Sequence, residues 1–184
     1  MQVKAGDTID ANEWQTLKGG TVAVPDSERL THLQFRRFAG CPICNVHLQS
    51  VIKRHDEITA SGIREVVMFH STAEELQAYV DDMPFDLVPD PDRTLYRRFG
   101  VETSLRSVAD PRSMAPVFKG LRDRSISGKL RLSAGMRSAN GGHLGMPADI
   151  LIDTDGTVID AKYGKHAADQ WSVDELLSLA KARR

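Results

Sequence analysis

Two cysteines three positions apart are the residues of this sequence whose types and spacing most clearly predict chemistry. Cys41 and Cys44 are the only cysteines in the chain, so the sequence lacks the multiple bridges of a small disulfide-rich protein. A Cys-x-x-Cys pair suits thiol–disulfide exchange, because one thiolate attacks a disulfide and the other closes an intramolecular disulfide. The spacing therefore predicts a redox-active dithiol.

The residues around the pair predict that Cys41 is the more acidic thiol. Pro42 suits the first position of a helix, since the N–H that proline lacks has no helical partner there. This assignment puts Cys41 at the helix N-cap, where a thiolate faces free backbone N–H groups and the positive end of the helix dipole. Arg36 and Arg37 add positive charge nearby. We expect these features to lower the pKa of Cys41 and to make it the nucleophile.

Two other interpretations of the pair stay open at this point. Both cysteines could be small core residues. Alternatively, the pair could be half of a zinc site in a non-enzymatic binding or redox-sensing module, completed by His47 and one of His55, His70 and His143. In the redox interpretation, His47 is the nearest local candidate for a base that takes the proton of Cys44, because it follows by about one helical turn.

The elements that must position the pair are predicted from the spacing of apolar residues. Helical stripes with apolar residues at i, i+3, i+4 and i+7 begin at Leu48, Leu76 and Val173. Serine and glutamate three positions apart predict two capping boxes, Ser71 with Glu74 and Ser172 with Glu175. The helices and their starting points follow from these patterns.

Four strands are predicted, at 30–36, 64–69, 148–152 and 157–161, with Asp155 and Gly156 in the turn between the last two. The order strand, helix, strand, helix, hairpin, helix predicts an α/β protein with a thioredoxin-like fold, in which helices flank a central mixed sheet. We expect one domain over 1–184. It would carry an N-terminal extension over 1–25 and an insertion over 104–145, before the strand at 148–152.

Charge and hydropathy exclude several classes of function. The formal net charge is -1 and the pI is about 6.6, so the whole chain has no electrostatic attraction to nucleic acid or to an acidic membrane. The sequence has no apolar run long enough to span a membrane and no signal-peptide core at its start, and we expect a cytoplasmic protein. Basic residues do concentrate in the insertion, which is predicted to be either a solvated segment or an anion, substrate or partner surface. They are Arg106, Arg112, Lys119, Arg122, Arg124, Lys129, Arg131 and Arg137.

Three segments carry a family resemblance. Residues 33–44, 96–101 and 146–156 together resemble the peroxiredoxin-like branch of the AhpC/TSA group within the thioredoxin superfamily. The resemblance implies that Cys41 attacks, that Cys44 resolves, and that Pro147 is a cis-proline facing the dithiol. A cis-proline there would leave the Met146 backbone free to pair with an extended substrate or partner chain.

Two departures from related patterns concern the residues around the nucleophile. Peroxiredoxins resembling this chain place a threonine three residues before the attacking cysteine and an arginine opposite it, whereas this sequence has Phe38 and Pro147 there. Arg137 or another arginine of the insertion is a candidate replacement. A thioredoxin has a buried acid six residues before its first cysteine, but Phe35 occupies that position and 29–55 contains no Asp or Glu.

These observations predict a thiol–disulfide oxidoreductase, with thiol peroxidase chemistry through a Cys41 sulfenic acid as the alternative enzyme. The expected substrates are protein or small-molecule disulfides, or hydroperoxides. No metal or organic cofactor is expected, but turnover needs an external thiol reductant of the thioredoxin or glutathione type. The glutathione option comes from the Cys-Pro-x-Cys pattern, which also resembles glutaredoxins. The sequence is silent on the oligomeric state, and a homodimer is one option that it leaves open.

Overall fold

Strands that are buried along almost their whole length form the middle of a mixed five-stranded sheet. The computed structural model describes residues 1–77, 83–101 and 145–183. The strands are β1 Asn12–Gln15, β2 Thr21–Val24, β3 Leu30–Phe35, β4 Ile63–Phe69, β5 Asp86–Pro89, β6 Ala148–Ile152 and β7 Val158–Tyr163. The helices are α1 Pro42–Lys53, α2 His55–Ala60, α3 Ala73–Gln77, α4 Thr94–Arg98 and α5 Val173–Arg183.

The sheet has the strand order β5-β4-β3-β6-β7. Strands β3, β4 and β5 run parallel, and β6 and β7 are antiparallel to their neighbours. In the register of the central strand, Leu33 lies opposite Val66 on one side and Ile150 on the other. This arrangement confirms the predicted α/β class and thioredoxin-like fold, and it places the C-terminal end of β3 immediately before the two cysteines.

Each face of the sheet buries its own apolar cluster. One cluster includes Leu48, Val51 and Leu176 from α1 and α5. The opposite cluster surrounds Phe35, whose ring contacts Tyr96 edge-on with ring centroids 5.1 Å apart. Fully burying side chains of this size contributes roughly 1.5–3 kcal/mol each. The packed sheet therefore supports the residues that follow the C-terminal end of β3.

The predicted N-terminal extension is joined to the sheet. β1 and β2 form an antiparallel hairpin, which the sequence analysis did not predict. The Trp14 ring contacts Phe99 at a centroid distance of 6.0 Å, and the backbone N–H of Leu17 donates to the carbonyl of Leu87 at 2.8 Å. The predicted insertion over 104–145 lies outside the described residues apart from Gly145. The division into a single domain with two added segments stays a prediction.

The start of α5 follows the predicted pattern, whereas the start of α3 differs from it. Ser172 and Glu175 form the predicted capping box of α5. At α3 the predicted box of Ser71 with Glu74 is wrong, because Thr72 and Glu75 make these bonds. The Ser71 hydroxyl instead accepts the backbone N–H of Ala39 at 2.9 Å. Part of the apolar stripe from Leu76 falls at 78–82, outside the described residues.

One further difference concerns a strand. Strand β5 was not predicted, because its four residues include Asp86 and Pro89 and lack a clear alternating pattern. The hairpin at 148–152 and 158–163 is confirmed, with Gly156 at a φ of +88° in its turn. Among the described residues, no helix is both long enough and apolar enough to cross a membrane.

Candidate functional site

The two cysteines lie at the start of α1, as predicted. Cys41 is the N-cap with an extended backbone, at φ −62° and ψ 115°, and Pro42 is the first helical residue. Gly40 precedes them with a φ of +74°, a left-handed conformation that glycine adopts without steric cost. The turn after β3 therefore points the helix N-terminus at Cys41 while Cys44 lies one turn deeper in the helix.

Arg37 contacts both sulfur atoms. Its guanidinium Nη1 lies 3.6 Å from Cys41 Sγ, and its backbone N–H donates to Cys44 Sγ at 3.5 Å. The guanidinium also lies over the Phe38 ring, 5.3 Å from the centroid. Because Arg37 is only 2% exposed, its charge acts on the thiols with little screening by water.

These contacts give the two thiols opposite acidities. Burial raises the pKa of Cys41, but the hydrogen bond from the Cys44 thiol, the Arg37 guanidinium and the N–H groups of the first helical turn outweigh it and lower that pKa to about 7. Burial and the neighbouring Cys41 sulfur raise the pKa of Cys44 well above its ordinary value. Cys41 is therefore the thiolate of the pair at neutral pH, and Cys44 keeps its proton.

Apolar side chains enclose the dithiol. Cys41 and Cys44 are 2% and 1% exposed. They pack in one cluster with Phe38, Ile43 and Ala167. A small pocket reaches the sulfurs from the side of α1 and α3. It is lined by Ala39, Gly40, Cys41, Cys44, Asn45, Leu48, Phe69 and Leu76.

The side chain of Arg36 turns away from the thiols, contrary to the expectation that it adds charge beside Cys41. Its Nη2 lies 2.7 Å from Asp149 Oδ1 and 2.5 Å from Gln34 Oε1. The same nitrogen lies 3.1 Å from His47 Nε2. Since a guanidinium has only N–H donors, it pairs best with the carboxylate, the amide oxygen and the imidazole beneath α1.

His47 is therefore bonded to Arg36, and in the described part of the chain no hydrogen bond joins it to either sulfur. Burial and the Arg36 charge lower the pKa of His47 to about 3. Such an imidazole is a weak base, so this geometry does not favour the predicted role of His47 in deprotonating Cys44.

A buried set of charged residues continues from Arg36 across the sheet. Asp149 on β6 and Glu65 on β4 both flank His32, at 3.3 Å and 2.8 Å. Burial opposes a charge on His32, but the two carboxylates raise its pKa to about 9. Burial likewise opposes the charge on Asp149, but Arg36 and His32 lower its pKa below the ordinary value. Two buried cations thus balance two buried acids.

The expectation of a cis-proline before β6 is wrong for Pro147. The cis X-Pro bond among the described residues is Val24–Pro25, and the Met146–Pro147 bond is trans. The trans form is the favoured one by about 0.5–1 kcal/mol, and here the chain runs directly from Met146 into β6. The Pro147 carbonyl accepts the N–H of Gly164 at 2.9 Å, so Pro147 packs against the segment that follows β7.

Several residues of this site were not predicted. Asp149 and Glu65 come from β6 and β4, and their positions beneath α1 depend on the sheet topology. The position of Asp149 as a single acid in an apolar strand is the one available signal, because a carboxylate inside a buried strand requires a partner. The zinc alternative finds no support in the described part of the chain, where no group of three or more His, Cys, Asp or Glu side chains is arranged to hold a metal ion. His143 lies outside it.

Comparisons with known proteins agree with this frame. Crystal structures with a similar fold include peroxidoxin BcpB from Mycobacterium tuberculosis, with a TM-score of 0.70 and 19% identity over 100% of this chain and 99% of that one. The reduced 2-Cys peroxiredoxin of Plasmodium vivax has a TM-score of 0.67 and 13% identity over 97% of this chain and 81% of that one. A cysteine-to-serine variant of peroxiredoxin 6 from Arenicola marina has a TM-score of 0.65 and 14% identity over 98% and 73%.

At these identities the structures establish the fold alone, and no curated protein matches the sequence. The sequence itself matches a family described as AhpC/TSA antioxidant enzyme over residues 48–166. The matched range begins just after the dithiol, so it covers β4 to β7 but not β3, the cysteines or α5. The chain belongs to the AhpC/TSA antioxidant enzyme family and is a thiol-dependent redox enzyme of the peroxiredoxin-like branch of the thioredoxin superfamily.

Proposed function

We propose that the protein is a thiol–disulfide oxidoreductase in which Cys41 attacks and Cys44 resolves. The observation that carries this proposal is the unequal acidity of the two thiols, with the pKa of Cys41 lowered to about 7 and that of Cys44 raised. A nucleophile reacts fastest when its pKa lies near the ambient pH, since thiolate fraction and intrinsic reactivity are then balanced. The Cys44 thiol is protonated and therefore reacts only after the mixed disulfide has formed.

The reaction has two exchanges. The Cys41 thiolate attacks one sulfur of the substrate disulfide, forms a mixed disulfide and expels the other substrate sulfur as a thiolate, which takes a proton from solvent. Cys44 then loses its proton and attacks Cys41 Sγ, which releases the second substrate thiolate. Two electrons pass from the dithiol to the substrate, and the enzyme is left with a Cys41–Cys44 disulfide.

Arg37 supports both exchanges. Its guanidinium stabilises the attacking Cys41 thiolate, and its backbone N–H stabilises the Cys44 thiolate that forms in the second exchange. The cycle uses no metal or organic cofactor. An external thiol of the thioredoxin or glutathione class must reduce the Cys41–Cys44 disulfide before the next turnover.

A second candidate function is thiol peroxidase activity, favoured by the position of Arg37 and by the small pocket at the sulfurs. The Cys41 thiolate would attack one oxygen of a hydroperoxide, expel the other as an alkoxide or hydroxide and become a sulfenic acid. Cys44 would then condense with the sulfenic acid and release water. Arg37 would supply the charge that stabilises the departing oxygen. It would replace the arginine that peroxiredoxins have at the position of Pro147.

The test is stopped-flow oxidation of the reduced protein by oxidised glutathione and, separately, by hydrogen peroxide, with thiol loss as the readout. Cys41→Ser should abolish both reactions. Cys44→Ser should retain the first exchange and accumulate a mixed disulfide that mass spectrometry detects. If Cys41→Ser reduced oxidised glutathione as fast as the unaltered protein, Cys41 would not be the nucleophile.

The two oxidants also separate the candidate functions. Rapid exchange with oxidised glutathione and slow reaction with peroxide supports the oxidoreductase. Rapid reaction with peroxide and slow exchange with oxidised glutathione would instead support the thiol peroxidase, with hydroperoxides as its substrates. The homodimer stays a prediction. Light scattering on the same samples gives the molar mass that tests it.

A further inference from the structure

The segment between β7 and α5 contributes to the apolar cluster that encloses the dithiol. We call residues 164–172 the strap. Ala167, near its middle, is fully buried and packs in the same cluster as Cys41 and Cys44. At the start of the strap, a Cβ added to Gly164 would lie 2.7 Å from both Pro147 Cγ and the Asp169 carbonyl. The strap is therefore closely packed against Pro147 at its start and against the cysteine cluster at Ala167.

One ion pair fastens the strap to the sheet. Lys162 Nζ on β7 lies 3.1 Å from Asp169 Oδ1 and donates to the Gln170 carbonyl at 3.2 Å. We call the Lys162–Asp169 pair the latch. Gln170 Nε2 in turn donates to the Ala167 carbonyl at 3.1 Å, so the latch holds the residues that lie against the sulfurs. Near the end of the strap, the backbone N–H of Trp171 donates to the buried Asp149 carboxylate at 3.1 Å.

This geometry limits the size of an oxidant that reaches Cys41. Exchange requires the attacking sulfur to approach the disulfide in line with the departing sulfur, so groups on both substrate sulfurs must fit around Cys41. Cys41 is 2% exposed, and Ala167 of the strap belongs to the cluster that encloses it, so the peptide groups of a large disulfide do not fit around Cys41 while the strap is in place. A hydroperoxide has only two oxygen atoms at its reacting end and needs far less space.

Resting on the proposed function, we propose that the strap is the specificity-determining element of the site. With the latch closed the dithiol reacts with small hydroperoxides, and a peptide disulfide reaches Cys41 only in the fraction of molecules whose latch is open. The observed rate with a disulfide then equals the rate of the open form multiplied by the open fraction. The rate with peroxide does not depend on that fraction.

Two substitutions loosen the latch from its two sides. Asp169→Asn removes the charge and keeps an oxygen that can accept the Lys165 N–H, which now donates to Asp169 Oδ2 at 2.9 Å. Lys162→Met keeps the aliphatic stem on β7 and removes the ammonium group. Because a partly exposed ion pair is weak, we expect each variant to raise the rate with oxidised glutathione by up to about fivefold. The rate with hydrogen peroxide should stay unchanged.

The control is Asp86→Asn. It breaks the Arg64–Asp86 pair, whose atoms lie 2.8 Å apart and whose side chains are 24% and 30% exposed, against 28% and 22% in the latch. Arg64 lies at the opposite end of the sheet from the cysteines, so this variant should change neither rate. The double variant of the latch should gain no more than Lys162→Met alone, since that variant already removes the ion pair together with the bond to the Gln170 carbonyl.

An equal change with both oxidants, or no change with either, would overturn the role of the strap. If the unaltered protein reacted with neither oxidant, the proposed function itself would fail. That result appears before any variant is compared, so the two failures are distinguishable.

Discussion

Removing the charge of Arg37 should make Cys41 a much weaker acid. The guanidinium nitrogen lies 3.6 Å from Cys41 Sγ in a buried site. At an effective dielectric constant of about 20, two unit charges at this distance attract by roughly 4–5 kcal/mol. Since one pKa unit corresponds to about 1.4 kcal/mol, this attraction is worth at most about three units.

In Arg37→Met the backbone N–H to Cys44, the helix N-terminus and the Cys44 thiol all remain, and the burial that raises the pKa of Cys41 remains as well. We therefore expect the pKa of Cys41 to rise by roughly one to three units from about 7. At pH 7 the thiolate fraction should fall from about half to below about one tenth.

The assay is the ultraviolet absorbance of the thiolate followed against pH, together with the rate of alkylation by iodoacetamide at pH 7. That rate should fall at least about fivefold, in proportion to the thiolate fraction. Arg98→Met is the matched control, because Arg98 also lies over a phenylalanine ring, 5.9 Å from the centroid of Phe99, but contacts no sulfur. An unchanged pKa in a folded Arg37→Met protein would refute the electrostatic argument.

Three further predictions concern stability, each measured by denaturant unfolding. The pKa of His32 is raised to about 9 in the folded state, so its contribution is complete below pH 6.5 and is lost as the pH rises to 9. The free energy of unfolding should fall over that window by up to about 3 kcal/mol, and the fall should be absent in His32→Gln. Asp149→Ala leaves the buried Arg36 without its carboxylate and should cost about 3–5 kcal/mol. The double variant with Asp149→Leu and Arg36→Met should recover most of that loss, and no recovery would show that packing sets the cost. Ser172→Ala removes the capping bond to the Glu175 N–H and should cost about 1 kcal/mol; a loss below a few tenths would mean that the cap is not used.

Local patterns predicted most of the fold around the site. The stripe from Val173 and the Ser172 capping box define α5, and Asp155 with Gly156 defines the turn of the β6–β7 hairpin. These elements are encoded within a few neighbouring residues, so the sequence shows them directly. The N-terminal hairpin and β5 were missed, because both are short strands that depend on packing against the rest of the protein.

Within the site, the local parts were likewise predictable. Pro42 and Cys41 take the helix positions assigned to them, and Arg37 lies beside the thiol. The assignment of charge to Arg36 was wrong because its side chain pairs with Gln34 and Asp149, whereas the Arg37 guanidinium reaches Cys41. From the sequence alone, nothing decides which of two neighbouring arginines faces the sulfurs.

The sequence by itself determined that this protein has one dithiol, that the dithiol starts a helix after a strand, and that its first cysteine is the more acidic. Those features depend on short-range geometry, namely helix capping and the helix dipole. Only the tertiary structure decided which groups surround the dithiol. Asp149, from a strand more than a hundred residues away along the chain, holds Arg36 beneath α1, and Ala167 of the strap packs in the cluster around the sulfurs. Contacts between distant segments follow from the strand order of the sheet, and local patterns do not specify that order.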